Sequence, residues 1–331
     1  MPYDRKILRK ALAQYERDKQ SREEKYLQRQ QRLFREIPRL AEIDRELRST
    51  ASQIAVTALR RGADVQPALR EIRDRNLALQ RERSAILMSR GYEPDTLAEK
   101  PFCALCGSTG FRDGAMCRCL RKYYARAQIQ ELSKMLDVGN ASFESFEDSW
   151  YSTAPWPRMG MSPYENMKRH FATCRDYAQQ FSSRSGNLLL SGDPGLGKTF
   201  LSACIARVVS ENGFSVVYYT AGHIFNQMEY VKFRREEDEA AEEDVNRCMN
   251  CDLLIMDDLG TEMTTAFVQS ALYQIVNSRL LSGKQTIINT NLTPEEIGRR
   301  YSPQILSRIE GEYEILPFFG EDIRRLKRQQ R

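Results

Sequence analysis

The chain has 331 residues, of which 41% are hydrophobic and 29% are charged, and its mean hydropathy is −0.58. No apolar run approaches the ~20 residues that cross a bilayer, which excludes a membrane-spanning protein, and the apolar content excludes a disordered chain. Residues 1–6 lead into more charges without the apolar stretch of a secretion signal, so we expect a cytoplasmic protein with no membrane partner. At ~150 residues per domain, the length predicts two compact units.

The net positive charge of the chain comes from its first 100 residues. They contain 23 Lys and Arg against 16 Asp and Glu, whereas the rest of the chain contains 27 against 29. Such an excess is typical of a surface that meets nucleic acid or an acidic partner, and equally of a well-solvated helix rich in Lys and Arg. Both interpretations stay open at this point.

Residues 1–100 are rich in Arg, Glu, Gln, Leu and Ala, which favour helices. We expect an α-helical, coiled-coil-like hairpin here, with its turn at Gly62. Pro38 should divide the first helix near Ile37, because proline has no backbone N–H and restricts the residue before it. Apolar residues recur every seven positions on both sides of the turn, a spacing that keeps one seam against a partner helix: Leu33, Leu40, Leu47, Ile54, Ile72, Leu79 and Ile86.

Four of the eight cysteines fall within a short Gly-rich segment, as a Cys-x-x-Cys pair and a Cys-x-Cys pair: Cys103, Cys106, Cys117 and Cys119. Four thiolates complete the tetrahedral shell of a structural zinc ion, and so short a segment buries too little apolar surface to fold without one. We expect a zinc knuckle at residues 101–120, with four unligated thiols as the alternative. Cys248 and Cys251 precede an apolar strand and are expected in the core.

The strongest motif is Gly-x-x-x-x-Gly-Lys-Thr, between an apolar strand and an apolar helix. Its backbone amides and the helix N-terminus cradle phosphates, its lysine reaches the β- and γ-phosphates, and its threonine hydroxyl ligates magnesium. The motif therefore predicts ATP and Mg²⁺ as cofactors. The expected nucleotide-binding residues are Gly192, Asp193, Pro194, Gly195, Leu196, Gly197, Lys198, Thr199 and Phe200.

A second apolar strand, residues 253–256, ends in Asp257 and Asp258. The first carboxylate, with Thr199, suits a magnesium ion, and the second suits orientation of an attacking water, which indicates hydrolysis. A strand at residues 216–219 lies between these motifs, as a doubly wound parallel sheet flanked by helices requires. A further strand ends in a polar amide that could sit near the γ-phosphate.

These motifs, with residues 257–262, 289–292, 307–309 and 320–324, resemble the AAA+ ATPases of the DnaC/DnaI helicase-loader family over residues 140–331. The resemblance implies that Lys198 and Thr199 form the Walker A site and that Asp257 and Asp258 form the Walker B site. It implies that Asn291 is the first sensor. It also implies that Arg308 is the arginine finger and Arg324 the second sensor. The arginine finger of such an ATPase reaches the ATP of a neighbouring subunit. Asp258 departs from the longer Glu of many AAA+ enzymes, which implies slow turnover.

The resemblance also implies an ATP-dependent helicase loader. Its partners would be a DnaB-type replicative helicase, single-stranded DNA and further copies of itself. Its domains would be a helical region at 1–100, the knuckle at 101–120, a linker at 121–150 and an AAA+ P-loop ATPase at 151–331. Three alternatives remain: an IstB-type transposition helper, a zinc-stabilised adaptor that uses ATP only as a switch, and a monomeric small-molecule kinase.

Overall fold

The structure is a computed structural model that describes residues 3–59, 66–135, 141–157, 159–233 and 239–329. The chain divides into two compact units. Gln14–Cys117 form one, called here the helical unit, and Met1–Ala13 with Arg118–Arg331 form the other, called here the sheet unit. Within the described ranges, no helix is both long enough and apolar enough to cross a membrane.

Three helices precede the cysteine segment: α1 at Arg5–Glu36, α2 at Pro38–Leu59 and α3 at Gln66–Ser89. The predicted division at Pro38 is confirmed, because α1 ends at Glu36 and α2 begins at the proline itself. Proline is tolerated in the first turn of a helix, where a backbone N–H has no partner within the helix. The predicted turn at Gly62 lies outside the described residues.

Helices α2 and α3 run antiparallel, as the predicted hairpin requires. Arg39, near the start of α2, pairs with Glu82 in the second half of α3 at 2.7 Å. Further along α2, Glu46 pairs with Arg75 at 3.0 Å, in the first half of α3. Leu40 of the apolar seam is fully buried. The seven-residue spacing therefore identified a packed face of this hairpin.

The cysteine segment contains two very short antiparallel strands, β1 at Phe111–Arg112 and β2 at Ala115–Met116. Phe111 faces Met116 across this pair. Gly110 and Gly114 have positive φ on either side of β1, which lets the chain turn tightly there. Strands of two residues each contribute few backbone hydrogen bonds, so the segment needs a further source of stability.

The sheet unit contains a five-stranded parallel sheet in the order β4-β5-β6-β3-β7. A parallel sheet flanked by helices confirms the predicted α/β class. The strands are β3 at Asn187–Ser191, β4 at Val216–Thr220, β5 at Leu253–Leu259, β6 at Gln285–Thr290 and β7 at Tyr313–Pro317. The helices are α4 at Arg118–Met135, α5 at Pro163–Gln179, α6 at Lys198–Glu211, α7 at Ala221–Phe233, α8 at Glu239–Asn250, α9 at Ala266–Leu281, α10 at Pro294–Arg300, α11 at Pro303–Glu312 and α12 at Ile323–Gln329.

Residues 121–150, which were expected to form a linker, contain regular structure. They include most of α4 and two short 3₁₀-helices, Phe143–Ser145 and Asp148–Trp150. Within α4, Tyr124 is 1% exposed, and its hydroxyl accepts a hydrogen bond from the backbone N–H of Asp4 at 3.0 Å. Because α4 buries part of its surface, it packs as an element of the sheet unit.

The sheet is covered on both faces, as parallel sheets are. Successive residues of β5 alternate between two apolar clusters, and all four residues from 253 to 256 are fully buried. Cys248 and Cys251 lie in the first of these clusters at 3% and 2% exposure, which confirms their predicted place in the core. A rigid, dry sheet of this kind can hold polar side chains in fixed positions at its edge.

The strands of a parallel sheet end along one edge, and ligands bind in the crevice outside their carboxyl ends. Here β3 leads into the Gly-rich loop, and β6 ends at Thr290, between two asparagines. A register shift between Met256 and Leu259 makes a bulge near the end of β5, where the two aspartates lie. The fold therefore brings motifs from distant parts of the chain to the same edge.

Candidate nucleotide site

The Gly-rich loop joins β3 to α6 and contains three glycines with positive φ: Gly192, Gly195 and Gly197. A side chain at Gly192 would overlap the Phe318 carbonyl oxygen, and one at Gly195 would overlap the Asp322 carboxylate. Helix α6 begins directly after the loop, so its first backbone N–H groups have no partners within the helix. The loop and this helix end therefore offer amides and a positive dipole to an anion.

Lys198 lies against this loop, and it is only 8% exposed. Its ammonium group donates to the carbonyl oxygens of Gly192 at 2.5 Å and Asp193 at 2.7 Å. Burial lowers the pKa of Lys198 from its ordinary value, while the negative charges of Asp257 and Asp258 act in the opposite direction. A lysine held by two neutral carbonyls can transfer its hydrogen bonds to phosphate oxygens, whose negative charge favours the ammonium form.

The bulge in β5 places the carboxylates of Asp257 and Asp258 in different surroundings. Asp257 is 5% exposed, whereas Asp258 is exposed and has a left-handed backbone with φ +55°, which is uncommon for any residue but glycine. Partial desolvation of its carboxylate at the cleft, and then the charge of Asp257, raise the pKa of Asp258 above its ordinary value. The pair therefore combines a buried carboxylate suited to a metal with an accessible one suited to water.

Two oxygen ligands for a divalent cation lie side by side at the loop. The Thr199 hydroxyl donates to Oδ1 of Asp257 at 3.3 Å. Mg²⁺ binds hydroxyl, carboxylate, water and phosphate oxygens, and it usually takes only one or two protein carboxylates. The donor set fits this ion, and Thr199 and Asp257 would hold it next to the phosphates of a nucleotide.

Asn289 and Asn291 flank the end of β6, and their surroundings differ. Asn291, which was predicted as the first sensor, is exposed and lines the same cleft as Asp258. Asn289 is 1% exposed, and its amide donates to Oδ1 of Asp257 at 2.8 Å. Asn289 was not among the expected site residues; the available signal was a second asparagine two positions before Asn291, which an extended strand places on the same face.

The two arginines predicted to act in catalysis lie in different places. Arg324, at the start of α12, lines the cleft, and its charge acts on both Lys198 and Asp258. Arg308 is exposed on α11 and does not line the cleft. The fold thus brings Arg324 to the Gly-rich loop and leaves Arg308 at the surface of the same chain.

The cleft enclosed by these residues has a volume of about 310 Å³. All predicted loop residues from 194 to 200 line it, together with Asp258, Asn291 and Arg324. Gly192 and Asp193 contribute indirectly, because their carbonyl oxygens hold the Lys198 ammonium group. The cleft is therefore lined on the side of the Gly-rich loop by polar groups suited to phosphate.

Its other wall is apolar and includes Phe146, Trp150, Tyr151 and Ile323. Lys327 extends this wall with its ammonium group 5.2 Å from the Trp150 ring centroid. Flat aromatic side chains suit a nucleobase, which stacks on them. Phe146 and Trp150 were missed from the sequence because they lie in the segment expected to be a linker, and Tyr151 follows directly after it. The signal was the density of aromatic residues at 143–151.

The four cysteines predicted to bind zinc also lie together. The Sγ atoms of Cys103, Cys106, Cys117 and Cys119 are all within 4.8 Å of one another, and those of Cys103 and Cys117 are 3.9 Å apart. Tetrahedral zinc with Zn–S bonds of about 2.3 Å places its sulfurs about 3.8 Å apart. The donor set and its spacing therefore fit a structural zinc ion held by these four thiolates.

Comparison with known proteins adds a family context to this geometry. Residues 168–331 match the family of IstB-like ATP binding proteins. The replicative helicase loader DnaC of Escherichia coli K12 is 27% identical over 145 residues, which are 44% of this chain and 58% of that protein. The DnaC loader of Buchnera aphidicola subsp. Baizongia pistaciae is 27% identical over 129 residues, which are 39% of this chain and 52% of that protein. The chain thus spans less than two thirds of the length of these relatives.

Among solved structures, that of the DnaC helicase loader has a TM-score of 0.45 and 19% identity, and the match covers 54% of this chain and 97% of that one. That of DnaI has a TM-score of 0.45 and 16% identity, and it covers 57% and 94%. The family match and the DnaC relatives confirm, for the C-terminal part of the chain, the resemblance to DnaC/DnaI-type AAA+ proteins predicted from the motifs.

Proposed function

We propose that this chain is an ATP-dependent helicase loader, which hydrolyses ATP in the cleft of the sheet unit and delivers a hexameric replicative helicase to single-stranded DNA. The observation that carries the proposal is the convergence of Lys198, Thr199, Asp258 and Arg324 on one cleft with an aromatic wall. The similarity to proteins described as replicative helicase loaders supports the choice of partner.

In this mechanism the loop amides and Lys198 bind the β- and γ-phosphates, while the aromatic wall holds the base. Asp258 accepts a hydrogen bond from the attacking water and orients it toward the γ-phosphate, with Asn291 nearby. Arg324 offsets negative charge from within the chain, and Arg308 is available to the cleft of a neighbouring subunit. Thr199 and Asp257 would hold a magnesium ion, which would neutralise charge on the phosphate oxygens.

Hydrolysis is tested with Asp258→Asn, which keeps the size of the side chain and removes its charge. We expect this variant to bind ATP but to hydrolyse it at least roughly 10²-fold more slowly than the wild type, because the attacking water loses the carboxylate that orients it. Lys198→Ala is the matched comparison and should lose nucleotide affinity as well. Equal, near-zero rates in the wild type and in Asp258→Asn would instead support an adaptor that uses ATP only as a switch.

A structural zinc ion at the four cysteines is part of the proposal. The segment from Cys103 to Cys117 contains two strands of two residues each, and Cys119 lies in the first turn of α4. Four metal–thiolate bonds would therefore supply stability that packing does not. In this interpretation the ion has no open coordination position and takes no part in hydrolysis.

For single-stranded DNA, the sheet unit carries an exposed aromatic and cationic patch at the ends of α7 and α9. Phe233 is 64% exposed, and its ring centroid is 5.5 Å from that of Phe267. The Lys232 ammonium lies 5.6 Å from one ring centroid and 5.4 Å from the other. Met263, at 85% exposure, adds apolar surface to the same unit. Bases stack on aromatic side chains while cations bind the phosphates, so this patch suits a single strand.

The patch is tested by fluorescence anisotropy with a labelled oligonucleotide and ATP. Phe233→Ala should weaken binding roughly tenfold, since loss of one base stack costs ~1–3 kcal/mol. Leu281→Ala is the control, because Leu281 is also an exposed apolar residue, at 79%, at the far end of α9. Equal affinities in the two variants would remove the patch from the DNA path.

The partner is tested by size-exclusion chromatography with light scattering of the full chain mixed with the replicative helicase of its host, with and without ATP. A stable large complex is the expected result. If no complex forms under either condition, the loader proposal fails, and the match to IstB-like proteins makes a transposase the next partner to test.

A further inference from the structure

The two adjacent tyrosines of β4 point their hydroxyl groups to different partners. Tyr218, at 4% exposure, donates to Oδ2 of Asp257 at 2.8 Å. Tyr219, at 7% exposure, donates to Asp244 at 3.1 Å and accepts from Arg247 at 3.1 Å. Successive side chains of a strand point to opposite faces. One tyrosine therefore reaches the candidate metal-binding carboxylate, and its neighbour reaches an ion pair elsewhere in the sheet unit.

The two oxygens of Asp257 are held differently. Oδ1 receives hydrogen bonds from Asn289 at 2.8 Å, from the backbone of Asp258 at 3.0 Å and from Thr199 at 3.3 Å. Among the hydrogen bonds between described residues, Oδ2 receives that of Tyr218. Rotation of the carboxylate about the Cβ–Cγ bond is therefore restrained by three hydrogen bonds at Oδ1 and by the single hydrogen bond from the Tyr218 phenol at Oδ2.

The direction of the Tyr218 hydrogen bond is itself fixed by its surroundings. The Ser202 hydroxyl, which is fully buried, lies 3.1 Å from Oη of Tyr218 and accepts from Asn289 at 2.7 Å. An ionised carboxylate only accepts hydrogen bonds, so the phenol is the donor in its contact with Oδ2 of Asp257. Ser202, Asn289 and Tyr218 thus form one connected polar network beneath Asp257.

We infer that Tyr218 is a positioning residue, whose hydroxyl orients the carboxylate of Asp257 for the divalent cation that accompanies the nucleotide. The inference rests on the proposed ATP hydrolysis and adds a residue that no motif of the sequence contains. Partners that orient a metal-binding side chain are typically worth 10- to 100-fold in metal affinity or activity, because the ligand otherwise samples other orientations.

The test measures Mg²⁺ affinity of the full chain by calorimetry in the presence of a non-hydrolysable ATP analogue. Tyr218→Phe keeps the ring and removes the hydroxyl, and we expect it to weaken Mg²⁺ binding roughly tenfold or more. Its affinity for the analogue without metal should stay at the wild-type value. Tyr219→Phe is the matched control: it also loses one buried hydroxyl and should keep wild-type Mg²⁺ affinity.

The outcomes separate this inference from the proposed function. Wild-type Mg²⁺ affinity in Tyr218→Phe, or an equal loss in both phenylalanine variants, would overturn the positioning role while leaving ATP hydrolysis intact. If the wild-type chain binds no Mg²⁺ together with the analogue, the proposed ATPase itself fails. Thermal melting of both variants shows whether they are folded and whether a general loss of stability accounts for the result.

Discussion

The two units differ in how far they bury their charged side chains. The sheet unit buries several charged side chains: Lys198 is 8% exposed, Asp257 is 5% and Arg279 is 1%. In the helical unit, the ion pair between Arg39 and Glu82 leaves the two side chains 42% and 41% exposed. A buried charge loses solvation and persists only where the fold supplies partners, whereas an exposed pair keeps its water and contributes little. The burial of charge, more than its amount, therefore marks the unit that carries chemistry.

The largest effect is expected at the four cysteines, where a metal rather than apolar burial would stabilise the segment. Cys103→Ser with Cys106→Ser should lower zinc from about one equivalent per chain to near zero by elemental analysis, because two of four ligands are lost. The control is the other Cys-x-x-Cys pair, Cys248→Ala with Cys251→Ala, which should keep its zinc. ATP binding should persist in the serine variant, since the cleft contains none of these residues. Full zinc in that variant would contradict the assignment.

Arg308 is an exception to this contrast between buried and exposed charges, because it is exposed and yet expected to act in ATP hydrolysis. If it acts on the nucleotide of a neighbouring subunit, Arg308→Ala should lower ATP turnover roughly 10³-fold at concentrations that support assembly. Affinity for ATP in the isolated subunit should not change, because Arg308 does not line the cleft of its own chain.

Arg299→Ala provides the control for this experiment. Arg299 is an exposed arginine on the preceding helix, α10. Turnover should stay at the wild-type level in this variant at every concentration. Wild-type turnover in Arg308→Ala would indicate a monomeric mechanism, such as that of a small-molecule kinase.

A smaller effect is expected when the carboxylate of one ion pair in each unit is replaced by the corresponding amide. Asp4 is 6% exposed, lies 2.7 Å from Arg247, and accepts a hydrogen bond from the backbone N–H of Ile7. Asp4→Asn should lower the free energy of local opening of the first turns of α1 by roughly 2 kcal/mol. This is less than the ~3–5 kcal/mol lost when a fully buried pair is broken, because Arg247 is partly exposed. Hydrogen exchange measures this local opening.

Glu82→Gln is its counterpart in the helical unit and removes the exposed pair with Arg39. We expect no measurable change in hydrogen exchange along α2 and α3, since solvent already screens this pair. Equal losses of protection in the two variants would mean that burial does not separate the units in the way proposed here.

Much of the site could be predicted because its residues lie in short motifs whose local structure is dictated by sequence. The Gly-rich loop needs glycine wherever its backbone approaches Phe318 or Asp322, and the strand before it and the helix after it are visible as apolar runs. The acidic pair directly follows the four fully buried residues 253–256 of β5. These features depend on neighbours in sequence, so the order of residues was sufficient.

The rest depends on contacts between distant residues. Whether Asn289 or Asn291 meets Asp257 is decided by the register between β5 and β6, and a two-residue shift would exchange them. The link between Asp4 and Arg247 joins residues far apart in the chain, and so does the packing of Tyr151 against the loop, where its hydroxyl donates to the Leu196 carbonyl at 3.2 Å. No periodicity in the sequence reports such pairings.

The strand order has a consequence for how the protein is made. The strand that carries the Gly-rich loop, β3, has β6 and β7 as its neighbours, and both are encoded after it. The ribosome must add roughly 100 further residues before β6 exists, which takes on the order of 5–20 s at ~5–20 residues per second. During that interval a nascent chain exposes an apolar strand with no partner for its edges. Chaperone contact is therefore expected to concentrate on β3 until synthesis reaches β6.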